Sequence, residues 1–140
     1  MAYVDTSVLV ACYCPETHSD MAERAVNRSG PPTISPLTEV EFRSALAIKV
    51  RAAEMESDAA RRVAACFRTH CEEGAYRFVP IEGGEYALAG GWLDGFSTPL
   101  RTVDALHLAA AFSNGLSILT ADRALARSAK TVGVKCRLVF

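Results

Sequence analysis

The stretch Ala2-Tyr3-Val4-Asp5-Thr6-Ser7-Val8-Leu9-Val10 decides how the chain is read. It opens as a short apolar run that predicts a buried β-strand, reaches a carboxylate, and continues as a second apolar run suited to a helix. Asp5 therefore stands at the carboxyl end of a strand, which in an open α/β sheet is the edge where ligands bind. The same residue could equally be the N-cap of the next helix, since Asp, Thr and Ser all favour that position. Which role it takes depends on whether other acids arrive at the same edge.

Outward from this stretch, strands and helices alternate. Val8 to Tyr13 predicts a short helix stopped near Pro15, and His18 to Arg28 a second one, with Thr17 or Ser19 as its cap. Thr33-Ile34-Ser35 reads as a short buried strand before Pro36. A long helix from about Leu37 to Ala53 follows. At 100° per residue it places Leu37, Val40, Glu41, Ser44, Ala45 and Ile48 on one face, so that Glu41 lies within an apolar stripe. Glu39 points elsewhere. Phe42, Leu46 and Val50 form a second stripe, to be covered either by a partner or by the following helix. Glu56 to Cys71 is the next helix, ended by Gly74, and Arg77 to Ile81 the next strand. Tyr86 to Leu93 is a helix weakened by Gly90 and Gly91. Val103 to Ser113, capped by Thr102 and closed by Asn114-Gly115, carries Asp104 in its first turn on the face of Leu108 and Ala111; His107, one turn on, reads as a packed or surface histidine, with orientation of Asp104 as the alternative. Leu116 to Thr120 is a strand with Asp122 just past its end, then come a basic helix, Arg123 to Lys130, and a strand, Cys136 to Val139. This alternation implies a three-layer α/β/α fold with a central parallel sheet.

Length and charge narrow the classes. The 140 residues, half of them apolar, suit one domain, residues 1–140, with a core that needs no disulfides. No apolar run approaches the roughly 18 residues of a membrane span, and the first residues do not read as a signal peptide, so a cytoplasmic location is expected. The five cysteines show no paired C-x-x-C spacing, which argues against a disulfide framework or a zinc site; Cys12, Cys14 and His18 could form a soft-metal cluster, but isolated cysteines in apolar segments are more often small buried hydrophobes. The net charge of −1 gives no global attraction to nucleic acid. The stretch from Arg101 to Phe140 is nevertheless locally basic, fitting a solvated face or a phosphate-binding one.

Four acids stand out by position. Asp5 and Asp122 follow strands, while Glu41 and Asp104 lie on helix faces near helix starts, so all four can meet in one crevice. Two carboxylates about 5 Å apart repel by on the order of 3 kcal/mol at an effective dielectric near 20. Four of them together rival the stability of a whole domain, so the site must bind cations or hold protons. Oxygen-only ligation suits Mg²⁺ or Mn²⁺.

Val4-Asp5-Thr6-Ser7-Val8-Leu9, Ser35 through Glu41-Phe42-Arg43-Ser44-Ala45-Leu46, Asp104-Ala105-Leu106-His107-Leu108-Ala109-Ala110-Ala111 and Leu119-Thr120-Ala121-Asp122-Arg123 together resemble the successive motifs of the PIN-domain family. In size the chain resembles the VapC-like toxins of toxin–antitoxin pairs. The resemblance implies a PIN-like fold and a Mg²⁺-dependent endoribonuclease. It also implies a homodimer, and a VapB-like antitoxin whose C-terminal segment fills the acidic groove. Carried over residue by residue, the catalytic and metal-holding acids are Asp5, Glu41, Asp104 and Asp122, with one or two ions, and Ser7 and Thr120 in support. Arg43, Arg101 or Arg123 would hold the phosphate backbone of RNA.

Other classes fit less well. A phosphatase of the acid-cluster type would carry a second acid two residues after Asp5, where Ser7 stands, and the first turn lacks the G-x-G-x-x-G of a dinucleotide-binding domain. A non-catalytic module of the same fold, recognising a basic partner through the acidic groove, remains the alternative.

Overall fold

The computed structural model describes residues 1–140. Its elements are β1 (Ala2–Val4), α1 (Thr6–Tyr13), α2 (Ser19–Arg28), β2 (Thr33–Ile34), α3 (Pro36–Arg51), α4 (Ser57–Glu72), β3 (Arg77–Phe78), α5 (Gly83–Asp94), α6 (Thr102–Ser113), β4 (Ser117–Thr120), α7 (Arg123–Val132) and β5 (Cys136–Leu138). The five strands form one parallel sheet in the order β3-β2-β1-β4-β5. Seven helices cover it on both faces, which is the three-layer α/β/α arrangement expected.

Parity along β1 divides the core. Ala2 and Val4 face a layer built with Leu9, Phe42, Leu46 and Phe67, whereas Tyr3 and its register partner Ile118 face Leu108, Leu125 and Val134. With both faces buried, the strands read as unbroken apolar runs rather than alternating ones. No helix is long and apolar enough to cross a membrane.

Two elements differ from the sequence reading. On α3 the buried side is the one carrying Phe42 and Leu46, while Val40, Ser44 and Ile48, expected to face the core, are exposed. Size decides this: the Phe42 ring packs against Phe67 of α4 at 4.4 Å and edge-on to Tyr13 at 5.6 Å, contacts that no residue of the other stripe could replace. The second stripe is thus covered by the following helix. The start of α3 is well determined, with Pro36 in its first turn and the Ser35 N–H donating to Thr38 Oγ1 at 3.2 Å.

Helix α5 begins a turn earlier than expected. The Glu82 N–H donates to Glu85 Oε2 at 3.1 Å, a reciprocal cap that recruits Gly83 and Gly84 into the helix. Packing of Ala89 against Ala105, Leu106 and Ala109 of α6, with Leu88, Trp92 and Leu93 alongside, offsets the poor propensity of Gly90 and Gly91. A Cβ added at Gly91 would meet nothing within 4 Å. Gly91→Ala is therefore expected to stabilise the protein by about 1 kcal/mol, raising Tm by roughly 3 °C in calorimetry.

Candidate functional site

Asp5 directly follows β1, and its N–H donates to Leu119 O of the neighbouring strand at 2.9 Å. It occupies the N-cap position of α1, yet its carboxylate caps nothing. Instead Asp5 Oδ2 accepts from Ser7 Oγ at 2.6 Å and from Thr120 Oγ1 at 2.8 Å. Those hydroxyls are themselves fixed, Ser7 Oγ accepting from the Ala121 N–H and Thr120 Oγ1 from the Asp122 N–H, both at 3.0 Å. The ends of β1 and β4 are thereby stitched together around one ionisable group that is only 6% exposed. Neither Thr6 nor Ser7 takes over the capping of α1, because Ser7 serves Asp5 and Thr6 Oγ1 is buried without a partner.

Glu41 lies in the second turn of α3, half-buried, with Oε1 accepting from His107 Nε2 at 2.9 Å. Glu39 leans instead toward Arg43 one turn along, at 4.0 Å. Burial works against the charge on Glu41, but the hydrogen bond from His107 outweighs it and holds its pKa below the ordinary carboxylate value.

Asp104 sits in the first turn of α6. This helix does not follow a strand, contrary to the simplest topological argument. It leads into β4, which starts at the opposite edge, so the first turn of α6 is delivered to the carboxyl edge all the same. Burial, then the charges of Asp5, Glu41 and Asp122, raise the Asp104 pKa, opposed by a backbone hydrogen bond at Arg101. Asp122 caps α7, its Oδ1 accepting from the N–H groups of Ala124 at 2.8 Å and Leu125 at 3.1 Å. Its second oxygen is not used in the cap. Glu41, Asp104 and Asp122 line a cleft of about 670 Å³ together with Arg101 and Thr102. All four acids thus gather at one edge of the sheet. Of the three arginines considered for the phosphate backbone, Arg101 lines this cleft and Arg43 and Arg123 do not.

The sequence reading missed how Glu41 is held. Donor atoms of Asp5, Glu41 and His107 all lie within 4.8 Å of one another. His107 is fully buried, and both of its ring nitrogens are engaged: Nε2 with Glu41, and Nδ1 with the Tyr3 hydroxyl at 2.6 Å. A carboxylate only accepts, so Nε2 carries the proton and Nδ1 accepts from the Tyr3 O–H. Burial pushes the Tyr3 phenol up to about 12, keeping it a donor at neutral pH. Tyr3 Oη in turn meets Ser35 Oγ at 2.7 Å and Thr38 Oγ1 at 3.2 Å. His107 is thereby a support for Glu41, with no lone pair left for a ligand. The signal was present in the sequence: a histidine amid Leu106, Leu108, Ala109, Ala110 and Ala111 must find polar partners if that helix is buried all round. Tyr3→Phe removes one partner from His107 and one from Ser35, and is expected to lower stability by about 1–2 kcal/mol in urea denaturation. An unchanged midpoint would contradict the chain of hydrogen bonds.

A parallel sheet of this order with four acids at its carboxyl edge defines a class of acid-cluster α/β domain, and sequence comparison narrows it. The PIN-domain family profile matches residues 2–131, and the chain belongs to that family. No curated protein matches the chain at a significant level. Among solved structures, FitAcB from Neisseria gonorrhoeae superposes with a TM-score of 0.71 at 15% identity, covering 99% of this chain and 98% of that one. DNA-bound VapBC from Salmonella typhimurium gives 0.69 at 18%, covering 100% of each. VapC20 from Mycobacterium tuberculosis, described as a sarcin–ricin loop cleaving toxin, gives 0.69 at 19%, covering 91% of this chain and 95% of its own. At these identities the likeness is one of fold.

Proposed function

We propose that this chain is a Mg²⁺-dependent endoribonuclease, the toxin of a VapBC-type pair, acting in the cytoplasm with a VapB-like antitoxin as its partner. The observation that carries the proposal is the gathering of Glu41, Asp104 and Asp122 in one cleft with the Asp5 carboxylate within 4.8 Å of Glu41, Asp5 being held by two hydroxyls and Glu41 by His107. Such a cluster stores repulsion that a divalent cation relieves. The donor set fits Mg²⁺ or Mn²⁺, since every candidate ligand atom is a carboxylate oxygen. Asp5 and Glu41 would hold the ion, with Asp104 and Asp122 completing one or two sites. When bound, the ion supplies Lewis-acid stabilisation of the charge that builds on the phosphodiester.

The chain's own residues do the rest. Ser7 and Thr120 fix the Asp5 carboxylate, so little reorganisation accompanies binding. Arg101 at the cleft wall holds a phosphate oxygen and offsets the repulsion between RNA and the acids. The RNA class is suggested by the description of VapC20 and the antitoxin by the VapBC and FitAB complexes of like fold. The homodimer also belongs to the proposal. It cannot use Phe42 and Leu46, which are buried, but Val40 and Ile48 remain 64% and 54% exposed on the opposite side of α3. The test is incubation of the purified protein with RNA in Mg²⁺, Mn²⁺ or EDTA. Cleavage that needs the metal is expected, and equal cleavage in EDTA would refute the reading.

A further inference from the structure

A second charged cleft lies away from the acids, between α2 and β5. Arg24, Arg28 and Arg137 line it, together with Leu138 and Val139, and its volume is about 370 Å³. Arg24 and Arg28 are one turn apart on α2, where like charges repel. None of the three is paired with a carboxylate, although Asp20 stands one turn before Arg24. Arg137 is moreover held in place, its Nη2 donating to Ser29 Oγ at 2.9 Å and to Ala25 O at 3.2 Å. Three arginines without a carboxylate partner line one concavity, one of them pre-oriented by the protein, and together offer a site for an anion with several oxygens.

The sheet connects this cleft to the acidic one. Val139 N–H donates to Thr120 O at 2.8 Å, and Thr120 Oγ1 is the hydroxyl that holds Asp5. β5 lies two strand positions from β1, or about 10 Å at ordinary strand spacing. We infer that the Arg24–Arg28–Arg137 cleft binds a backbone phosphate of single-stranded RNA as the strand leaves the acidic cleft over the β5 edge. The inference rests on the ribonuclease reading and adds the path of the substrate. It also gives the chain a cationic counterpart to a site that by itself repels RNA.

Binding of a short single-stranded RNA is measured by fluorescence anisotropy over a range of salt, using Asp104→Asn protein to prevent cleavage, with and without Arg24→Ala/Arg28→Ala. These side chains are exposed, so the fold should be retained, which circular dichroism checks; Arg137→Lys provides a further variant that keeps the charge and loses the fork. Removing the two arginines is expected to weaken binding about 10-fold. It should also make the dependence of log affinity on log salt shallower by roughly 0.7, the contribution of one phosphate. Unchanged affinity and slope would overturn the inference while leaving the ribonuclease reading intact. If protein with all three arginines binds no RNA, both fall. Two controls separate other anions: a glutamate-rich peptide, and inorganic phosphate followed through the arginine side-chain NMR signals. Loss of peptide binding without loss of RNA binding, or a response to phosphate and none to RNA, would each overturn the assignment to RNA.

Discussion

Asp104→Asn is expected to lower kcat/KM for Mg²⁺-dependent RNA cleavage at least about 1,000-fold, the equivalent of about 4 kcal/mol of transition-state stabilisation. The same substitution should make the metal-free protein more stable. Asp104 is held among Asp5, Glu41 and Asp122, whose charges, after burial, raise its pKa. Its ionised form therefore costs stability at neutral pH, and removing the charge should raise Tm of the metal-free protein. The pH dependence follows with a definite sign. Because the folded-state pKa is raised, the cost is present above that pKa and is relieved as the pH falls from it toward the ordinary carboxylate value. The stability advantage of Asp104→Asn in EDTA should thus shrink on acidification. Glu41 has the opposite sign: its lowered pKa contributes stability above the ordinary value, lost as the pH falls through the lowered one. Chemical denaturation in EDTA across the acid range measures both. A variant that is inactive and also less stable at neutral pH would mean that Asp104 is not under repulsion.

The second large effect is structural. Phe42→Ala should destabilise the protein by about 3–5 kcal/mol, a large part of the roughly 5–15 kcal/mol typical of a domain. The ring is fully buried between Phe67 and Tyr13, so truncation opens a cavity between α1, α3 and α4. Ile48→Ala, on the exposed side of the same helix, should change stability by less than about 0.5 kcal/mol. Equal effects, measured by urea denaturation, would mean that α3 is rotated from the orientation described here. That rotation also matters for the site, because it turns Glu41 toward His107 and leaves Glu39 beside Arg43.

The order of elements and the edge at which the acids meet were legible in the sequence, because strand ends and helix starts are set by local pattern and turn residues. Asp5 and Asp122 could be placed from position alone, each directly after an apolar run. Glu41 stands out in the sequence by its helical face, but that face is not the fully buried one. Periodicity counts apolar residues without weighing their size, so it does not rank the stripe of Val40, Ala45 and Ile48 against that of Phe42 and Leu46. What holds Glu41 in place is His107, a contact spanning α3 and α6 that no spacing within either helix reveals. The network from Ser35 through Tyr3 to His107 is likewise non-local, joining β1 to residues more than thirty and a hundred positions away. Asp122 shows a different limit, for it is both the cap of α7 and a wall of the cleft. Residue type alone could not divide these roles.

The most direct measurement is an anomalous-scattering map from crystals of the protein grown with Mn²⁺. The expected result is a peak within bonding distance of carboxylate oxygens of Asp5 and of at least one of Glu41, Asp104 and Asp122, absent from crystals of Asp5→Asn. A map with no peak in the cleft at saturating Mn²⁺, or with a peak that persists unchanged in Asp5→Asn, would contradict the assignment of this edge as a metal-dependent nuclease site.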